Sequence, residues 1–180
     1  MTGTDAVDLR PLSRADLPLL ARWLAEPLVR RWWHHDSGIR TLERDFGPAI
    51  DGSDPTEIHL TGVDGVWFGL IQRYLIDDNP EYADELATVC EVPPGALSVD
   101  YLIGEPACRG RGLASRMIAA SVRDARIRHP EAAVVVPVHV ANVASWRSLE
   151  NAGFDRIAAG ALTPDNPADS TDHYVYCLRP

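Results

Sequence analysis

Residues 105–114 read EPACRGRGLA, a short turn that sets Arg109, Gly110, Arg111 and Gly112 side by side in a chain whose formal net charge is −9. A glycine-rich turn ahead of a helix leaves the first backbone N–H groups of that helix unpaired, and the helix dipole adds partial positive charge there. Such a turn holds an anion, phosphate above all. Glycines also serve plain tight turns, so the context decides. A second reactive group stands just upstream. Asp100 interrupts the strand-like run ALSVDYLIG on the face opposite Leu97, Val99, Tyr101 and Ile103. It is either a general base or a solvated carboxylate at a sheet edge.

Composition removes several chemistries. All 17 basic residues are arginine, since the sequence contains no lysine. There is therefore no Schiff-base amine, no pyridoxal phosphate anchor and no P-loop lysine. An acidic balance disfavours general nucleic-acid binding and favours cationic partners. Cys90, Cys108 and Cys177 are odd in number and far apart, which suits reduced structural thiols. His34, His35 and Asp36 are consecutive and match no common zinc spacing, so no metal is expected. The first ten residues carry neither a basic nor an apolar leader region, and no apolar run is long enough to span a bilayer. These features predict a soluble, cytoplasmic chain whose residues 1–180 form one domain.

The elements that must position the turn and Asp100 follow from periodicity. A strand over 7–12 leads into a helix capped by Ser13, with Asp16 in the capping-box position and Leu17, Leu20 and Leu24 at helical spacing. A weaker helix starts at Thr41. Strands over 56–63 and 66–77 meet across Asp64 and Gly65, a strong hairpin signal. Residues 77–91 hold six carboxylates and no arginine, which predicts a loop with at most one helical turn. The strand over 96–104, the turn, a helix over 112–128 and the apolar run AAVVVPVHV make a right-handed βαβ unit with parallel strands. A helix capped by Asn142 and ended by Gly153 precedes two last strands. The fold class is α/β with a mixed sheet.

Pro137 cannot donate to a sheet ladder, so pairing is expected to fail between residues 99–103 and 137–140. Among nucleotide-type readings, G-x-G-x-x-S from Gly110, Gly112 and Ser115 approaches a dinucleotide fingerprint. It lacks an acid at the end of the next strand, and too little chain follows for a second half. RGRGLA (109–114) instead matches the R/Q-x-x-G-x-G/A turn of the GNAT N-acetyltransferases, and NVASWRSLENAGF is similar to a second segment of that family. The resemblance covers the element order over nearly the whole chain. It implies the GNAT fold, a central sheet of about seven strands flanked by helices and splayed between its two central parallel strands.

The same resemblance implies acetyl-CoA as co-substrate. Leu102 and Ile103 would pair with pantetheine, residues Arg109, Gly110, Arg111, Gly112, Leu113 and Ala114 would hold the pyrophosphate, and Asn142 and Ser145 would face the acyl end. SVDYLIG looks like a strand of the aminoglycoside 6'-N-acetyltransferases in which the Asp helps deprotonate an amine, so Asp100 is expected as base. VRRWWHHD and GLIQRY resemble further segments of that subgroup, which places Trp32, Trp33, Gln72 and Tyr74 at the acceptor. The acidic insert, with Asp84 and Glu85, would face a polycation. Two departures stand out. The position where the family often carries a Tyr acid is Leu149, leaving water, Ser145 or Ser148 to protonate the thiolate, and a second acid position is Pro137. The expected reaction is acetyl transfer to a primary amine, with an aminoglycoside favoured as acceptor. Another small amine, such as a siderophore precursor, polyamine or amino acid, or a non-catalytic acyl-CoA-binding role, is the alternative; either a monomer or a homodimer fits.

Overall fold

A computed structural model describes residues 6–180; residues 1–5, half of the stretch inspected for a leader, lie outside the described residues. Strand β1 (Asp8–Pro11) precedes a 3-10 turn (Arg14–Asp16) and helix α1 (Leu17–Leu24). The capping box forms as expected: the Ser13 N–H and hydroxyl both donate to Asp16, at 2.9 and 2.6 Å, and Arg10 clamps the same carboxylate at 2.7 and 3.0 Å. Helix α2 (Pro27–Trp33) starts on a proline and stops at His34, whose φ of 42° is left-handed. Helix α3 (Ile39–Asp51) begins two residues before the expected Thr41. Strands β2 (Glu57–Val63) and β3 (Val66–Leu75) form the hairpin, with Asp64 and Gly65 both at positive φ.

Residues 77–91 depart from expectation. They contain a two-turn helix, α4 (Pro80–Ala87), started by Pro80 and anchored by buried Leu86. Its carboxylates mask the signal: Glu81 and Asp84 are exposed on the outer face, while Tyr82, Ala83 and Leu86 pack on the sheet. Strand β4 (Leu97–Ile103), helix α5 (Leu113–Ala125) and strand β5 (Val134–His139) make the βαβ unit, followed by helix α6 (Val143–Asn151) and strands β6 (Asp155–Ala161) and β7 (Asp172–Leu178).

The seven strands lie in the order β1-β2-β3-β4-β5-β7-β6, antiparallel except at β4 and β5. One face carries α5 and α6, whose Met117, Ile118, Val122 and Leu149 pack on Ile71, Val99, Val136 and Tyr176. The other carries α1, α2 and α3 through Leu20, Trp23, Leu24, Val29, Leu42 and Phe46, with α4 beside them. Each such buried side chain contributes about 2 kcal/mol of transfer free energy. The parallel pair is joined only where Leu97 meets Val134, and β5 pairs with β7 without a break through Pro137. The sheet therefore splays from Ser98 onward, a little earlier than the proline alone implies.

Candidate active site

The splay opens a cleft of about 1340 Å³ that runs from the turn before α5 to the loop between β6 and β7. Its two ends differ in chemistry. Arg109, Gly110, Gly112, Leu113, Ala114 and Ser115 line one end, and the two carboxylates of residues 104–128, Glu105 and Asp124, are not among the lining residues. Gly110 and Gly112 both sit at φ +71°, and a Cβ on either would meet no atom within 4 Å, so the backbone there is open to a ligand. Gly112 is also the N-cap of α5 and offers no side-chain cap. The first N–H groups of a 13-residue helix thus stay available to an anion. A pyrophosphate fits this end by charge and by access.

The arginines are placed less simply than the sequence implies. The Arg109 guanidinium donates to the carbonyls of Ile103 and Gly104, each at 3.2 Å, and lies 3.5 Å from Glu26. It clamps the turn to the end of β4 while lining the cleft. Arg111 is exposed and is not among the cleft residues. The backbone of the turn, more than its side chains, forms this end.

Along the gap, the register moves one expected contact. A Cβ on Gly69 of β3 would come within 2.4 Å of the Leu102 carbonyl, so that carbonyl faces β3. Because successive residues alternate the direction of their backbone groups, those facing the gap belong to Tyr101 and Ile103. The Tyr101 carbonyl accepts from the Trp33 indole at 3.3 Å. Leu102 itself is buried against the α1–α3 layer. Asn142 caps α6, its Oδ1 accepting from the Ser145 N–H at 3.3 Å, and both residues line the cleft.

At the other end stand the carboxylates. Asp100 keeps a window on the cleft, yet protein surrounds it, and burial raises its pKa; hydrogen bonds from Gln72 and Tyr74 pull the other way. Gln72 lies opposite Asp100 in the β3–β4 register and donates through Nε2 at 2.9 Å. Tyr74 stacks edge-on to Tyr82 at 6.0 Å, and burial pushes the Tyr82 hydroxyl up to about 12. Trp32 and Trp33, from α2, form a wall of the same end.

The insert contributes unequally. Asp84 is exposed on the outer face of α4 and does not reach the cleft. Glu85 lines it, but its carboxylate accepts the Thr163 N–H at 2.6 Å and so anchors the β6–β7 loop. That loop brings a residue which the sequence did not single out. Asp165 lines the cleft, burial raises its pKa, and its charge in turn raises that of Asp100. The run TPDNPAD reads as an ordinary polar turn, and nothing local in it signals a long-range partner. Arg31 of α2 clasps Asp169 of this loop at 2.6 and 2.7 Å, which ties the two sides of this end of the cleft together.

The histidines are engaged locally. His34 ends α2, His35 lies 3.3 Å from Asp45, and Asp36 accepts from Gly38 N–H and the Thr41 hydroxyl. His139 Nδ1 accepts the Ala141 N–H at 3.1 Å, which leaves Nε2 to donate to the Ser170 carbonyl. Glu57, His59 and Asp124 cluster elsewhere. Buried Arg73, at 3% exposure, already pairs with both of those carboxylates, and Arg128 pairs with Glu57 as well, so two arginines balance the two acids.

Residues 13–162 match the model of the acetyltransferase (GNAT) domain family. The chain belongs to the GNAT acetyltransferases. It is an acetyl-CoA-dependent N-acetyltransferase by family. Among curated proteins, aminoglycoside N(6')-acetyltransferases type 1 from Klebsiella pneumoniae and Serratia marcescens are each 25% identical over 171 residues, covering 92% of this chain and 82% of theirs. Among solved structures, aminoglycoside acetyltransferase AAC(6')-Ib in complex with coenzyme A superposes with a TM-score of 0.80 at 20% identity, covering 97% of this chain and 95% of the other. Spermidine N-acetyltransferase from Vibrio cholerae, in complex with CoA and spermine, gives 0.72 at 14%, covering 96% and 95%. These structural likenesses carry the fold. No helix among the described residues is long and apolar enough to cross a membrane.

Proposed function

We propose that this GNAT acetyltransferase acetylates a primary amine of a polycationic small molecule, with the 6'-amine of an aminoglycoside as the favoured acceptor. The observation that carries the reading is Asp100, a desolvated carboxylate held by Gln72 at the mouth of the splay, with Asp165 sharing its end of the cleft. Two carboxylates in one partly buried space repel each other, and an ammonium between them relieves both. The curated relatives, named as aminoglycoside acetyltransferases, support the same acceptor.

This layout supports direct attack in a ternary complex. The turn of residues 109–114, with the N–H groups of α5, would hold the pyrophosphate, and the gap-facing backbone of Tyr101 and Ile103, whose carbonyls already accept from Trp33 and Arg109, would present its N–H groups to the pantetheine arm. Acetyl-CoA supplies the activated acyl group. Asp100 takes the proton that the amine sheds on attack, a task suited to a carboxylate raised above its ordinary range. Trp32 and Trp33 wall the acceptor and exclude water.

The test is thiol release from acetyl-CoA with kanamycin, tobramycin, spermidine and a lysine derivative. Turnover is expected with the aminoglycosides, at kcat/KM at least tenfold above spermidine. A preference for spermidine would move the acceptor to the polyamines. CoA binding without turnover on any amine would leave only a binding module.

A further inference from the structure

The GNAT resemblance leaves one step without a side chain. Leu149 stands where a Tyr acid is usual, and it is fully buried in the core between α6 and the sheet. Of the two serines on α6 that could take over, Ser148 donates its only hydroxyl proton to the Ala144 carbonyl at 2.7 Å. Ser145 differs. Its Oγ lies 2.8 Å from the Tyr101 hydroxyl, whose one proton is within reach of both that Oγ and, at 3.1 Å, the Ser145 carbonyl, and donation to the nearer Oγ leaves the Ser145 proton to point elsewhere. Both residues line the cleft.

Their place in the strand adds a second argument. Asp100 and Tyr101 are consecutive in β4, so their side chains leave on opposite faces. Asp100 faces Gln72 and the acceptor end, whereas Tyr101 crosses to α6. Attack and departure at a thioester carbonyl need a proton acceptor beside the amine and a donor beside the sulfur. One strand, at the point where it parts from β5, carries the acceptor, Asp100, and the Tyr101 hydroxyl that reaches a donor, Ser145 of α6.

We infer that Ser145 donates a hydrogen bond to the departing sulfur, and that Tyr101, donating to Ser145 Oγ, positions it. The inference rests on the acetyl-transfer reading. As the carbon–nitrogen bond forms, the carbon–sulfur bond breaks and its electron pair stays on sulfur. The amine proton passes to Asp100 and through water to solvent, from which the thiolate is neutralised. The two hydroxyls keep their own protons. Burial raises the Tyr101 pKa, so the phenol stays protonated and remains a donor throughout the working range.

The experiment titrates the thiol of enzyme-bound CoA by thiolate absorbance, in the wild type, Ser145→Ala and Tyr101→Phe, beside kcat, acceptor KM and the affinity for desulfo-CoA. The wild type should hold the thiol below its value in free CoA. Ser145→Ala should return it toward the free value and lower kcat about 100-fold, as loss of one preorganised donor does. Tyr101→Phe should move the thiol up by about one unit and lower kcat about tenfold. Acceptor KM and desulfo-CoA affinity should hold in both. A thiol titration unmoved in Ser145→Ala would overturn the inference, and so would a kcat loss accompanied by weaker desulfo-CoA binding, which marks a packing role. The titration needs no acceptor, so a wrong choice of amine leaves it standing. Failure of the wild type to bind CoA would remove the acetyl-transfer reading as well.

Discussion

The two ends of the cleft are built by different means. The turn before α5 comes from one contiguous stretch, residues 109–115, and works through backbone: two glycines at positive φ and uncapped helical N–H groups. The acceptor end draws on α2, β3, β4, α4 and the β6–β7 loop, and works through side chains: Trp32 and Trp33, Gln72, Asp100, Glu85 and Asp165. A backbone site is cheap to encode and tolerates change in its side chains. A side-chain site made from five elements depends on the whole fold, yet each member can be exchanged singly. Under the proposed function, the turn before α5 would fix the reaction class and the other end would select the amine.

The sharpest way to separate the ends is Asp100→Asn. Turnover should fall by about 10²- to 10⁴-fold, the usual worth of a general base, while the CoA dissociation constant holds. Equal loss of both would merge what the comparison divides. Two pH effects accompany it. Because burial raises the Asp100 pKa, kcat/KM in the wild type should rise with pH through a value above the ordinary carboxylate range. A raised folded pKa stabilises the protein below the unfolded value and forfeits that stability as pH rises through the folded one. Asp100→Asn should therefore melt higher than the wild type at neutral pH, and the difference should close in acid. A melting gap independent of pH would mean that the carboxylate is not desolvated.

The opposite break is Gly112→Val. A β-branched residue at φ +71° costs about 1–2 kcal/mol of strain, and relief by rotation would turn the N–H groups of α5 away from the anion. CoA affinity should weaken by about tenfold or more, with acceptor KM unchanged, as measured by calorimetry with CoA and by initial rates. Unaltered CoA affinity would place the pyrophosphate elsewhere.

What was legible in the sequence divides along the same line. The hairpin at Asp64 and Gly65, the Ser13 and Asp16 box, the Asn142 cap and the splay near Pro137 are all local, and local rules find them. Asp100 was legible because a lone carboxylate breaks an apolar alternation. Asp165 was not, since a polar residue in a polar loop carries no local signal and acquires its burial only when the loop folds over the cleft. Helix α4 was hidden for a related reason. Six carboxylates in 15 residues suggest a solvated loop, but Pro80 starts a helix that turns Glu81 and Asp84 outward and buries Leu86. Leu102 shows a finer limit: periodicity tells which face a side chain takes, and only the register with β3 tells where its carbonyl points.

Asp165→Asn probes the acceptor end at its least legible member. For an acceptor with several ammonium groups KM should rise about tenfold, since a charge-assisted hydrogen bond becomes a neutral one. For a simple monoamine KM should barely move, because Asp100 serves the reacting nitrogen alone. Equal loss with both substrates would make Asp165 a support for the loop.

The smallest effect should come from Asp84→Asn, and it tests whether the acidic insert acts by charge or by shape. Asp84 is exposed on the outer side of α4, about where solvent screens a single charge almost fully, so KM for a polycation should change by less than about twofold at physiological salt. Glu85→Gln in the same helix should do more. The hydrogen bond from Thr163 holds the Glu85 pKa down, and its loss slackens the loop that carries Asp165. The Glu85 effect should fall on polycations, in the pattern of Asp165→Asn, and should persist at high salt because it acts through loop position. An Asp84 effect as large as that of Glu85, and erased by salt, would instead make the insert a diffuse negative field. The acceptor end would then extend onto the outer face of α4, well beyond the cleft.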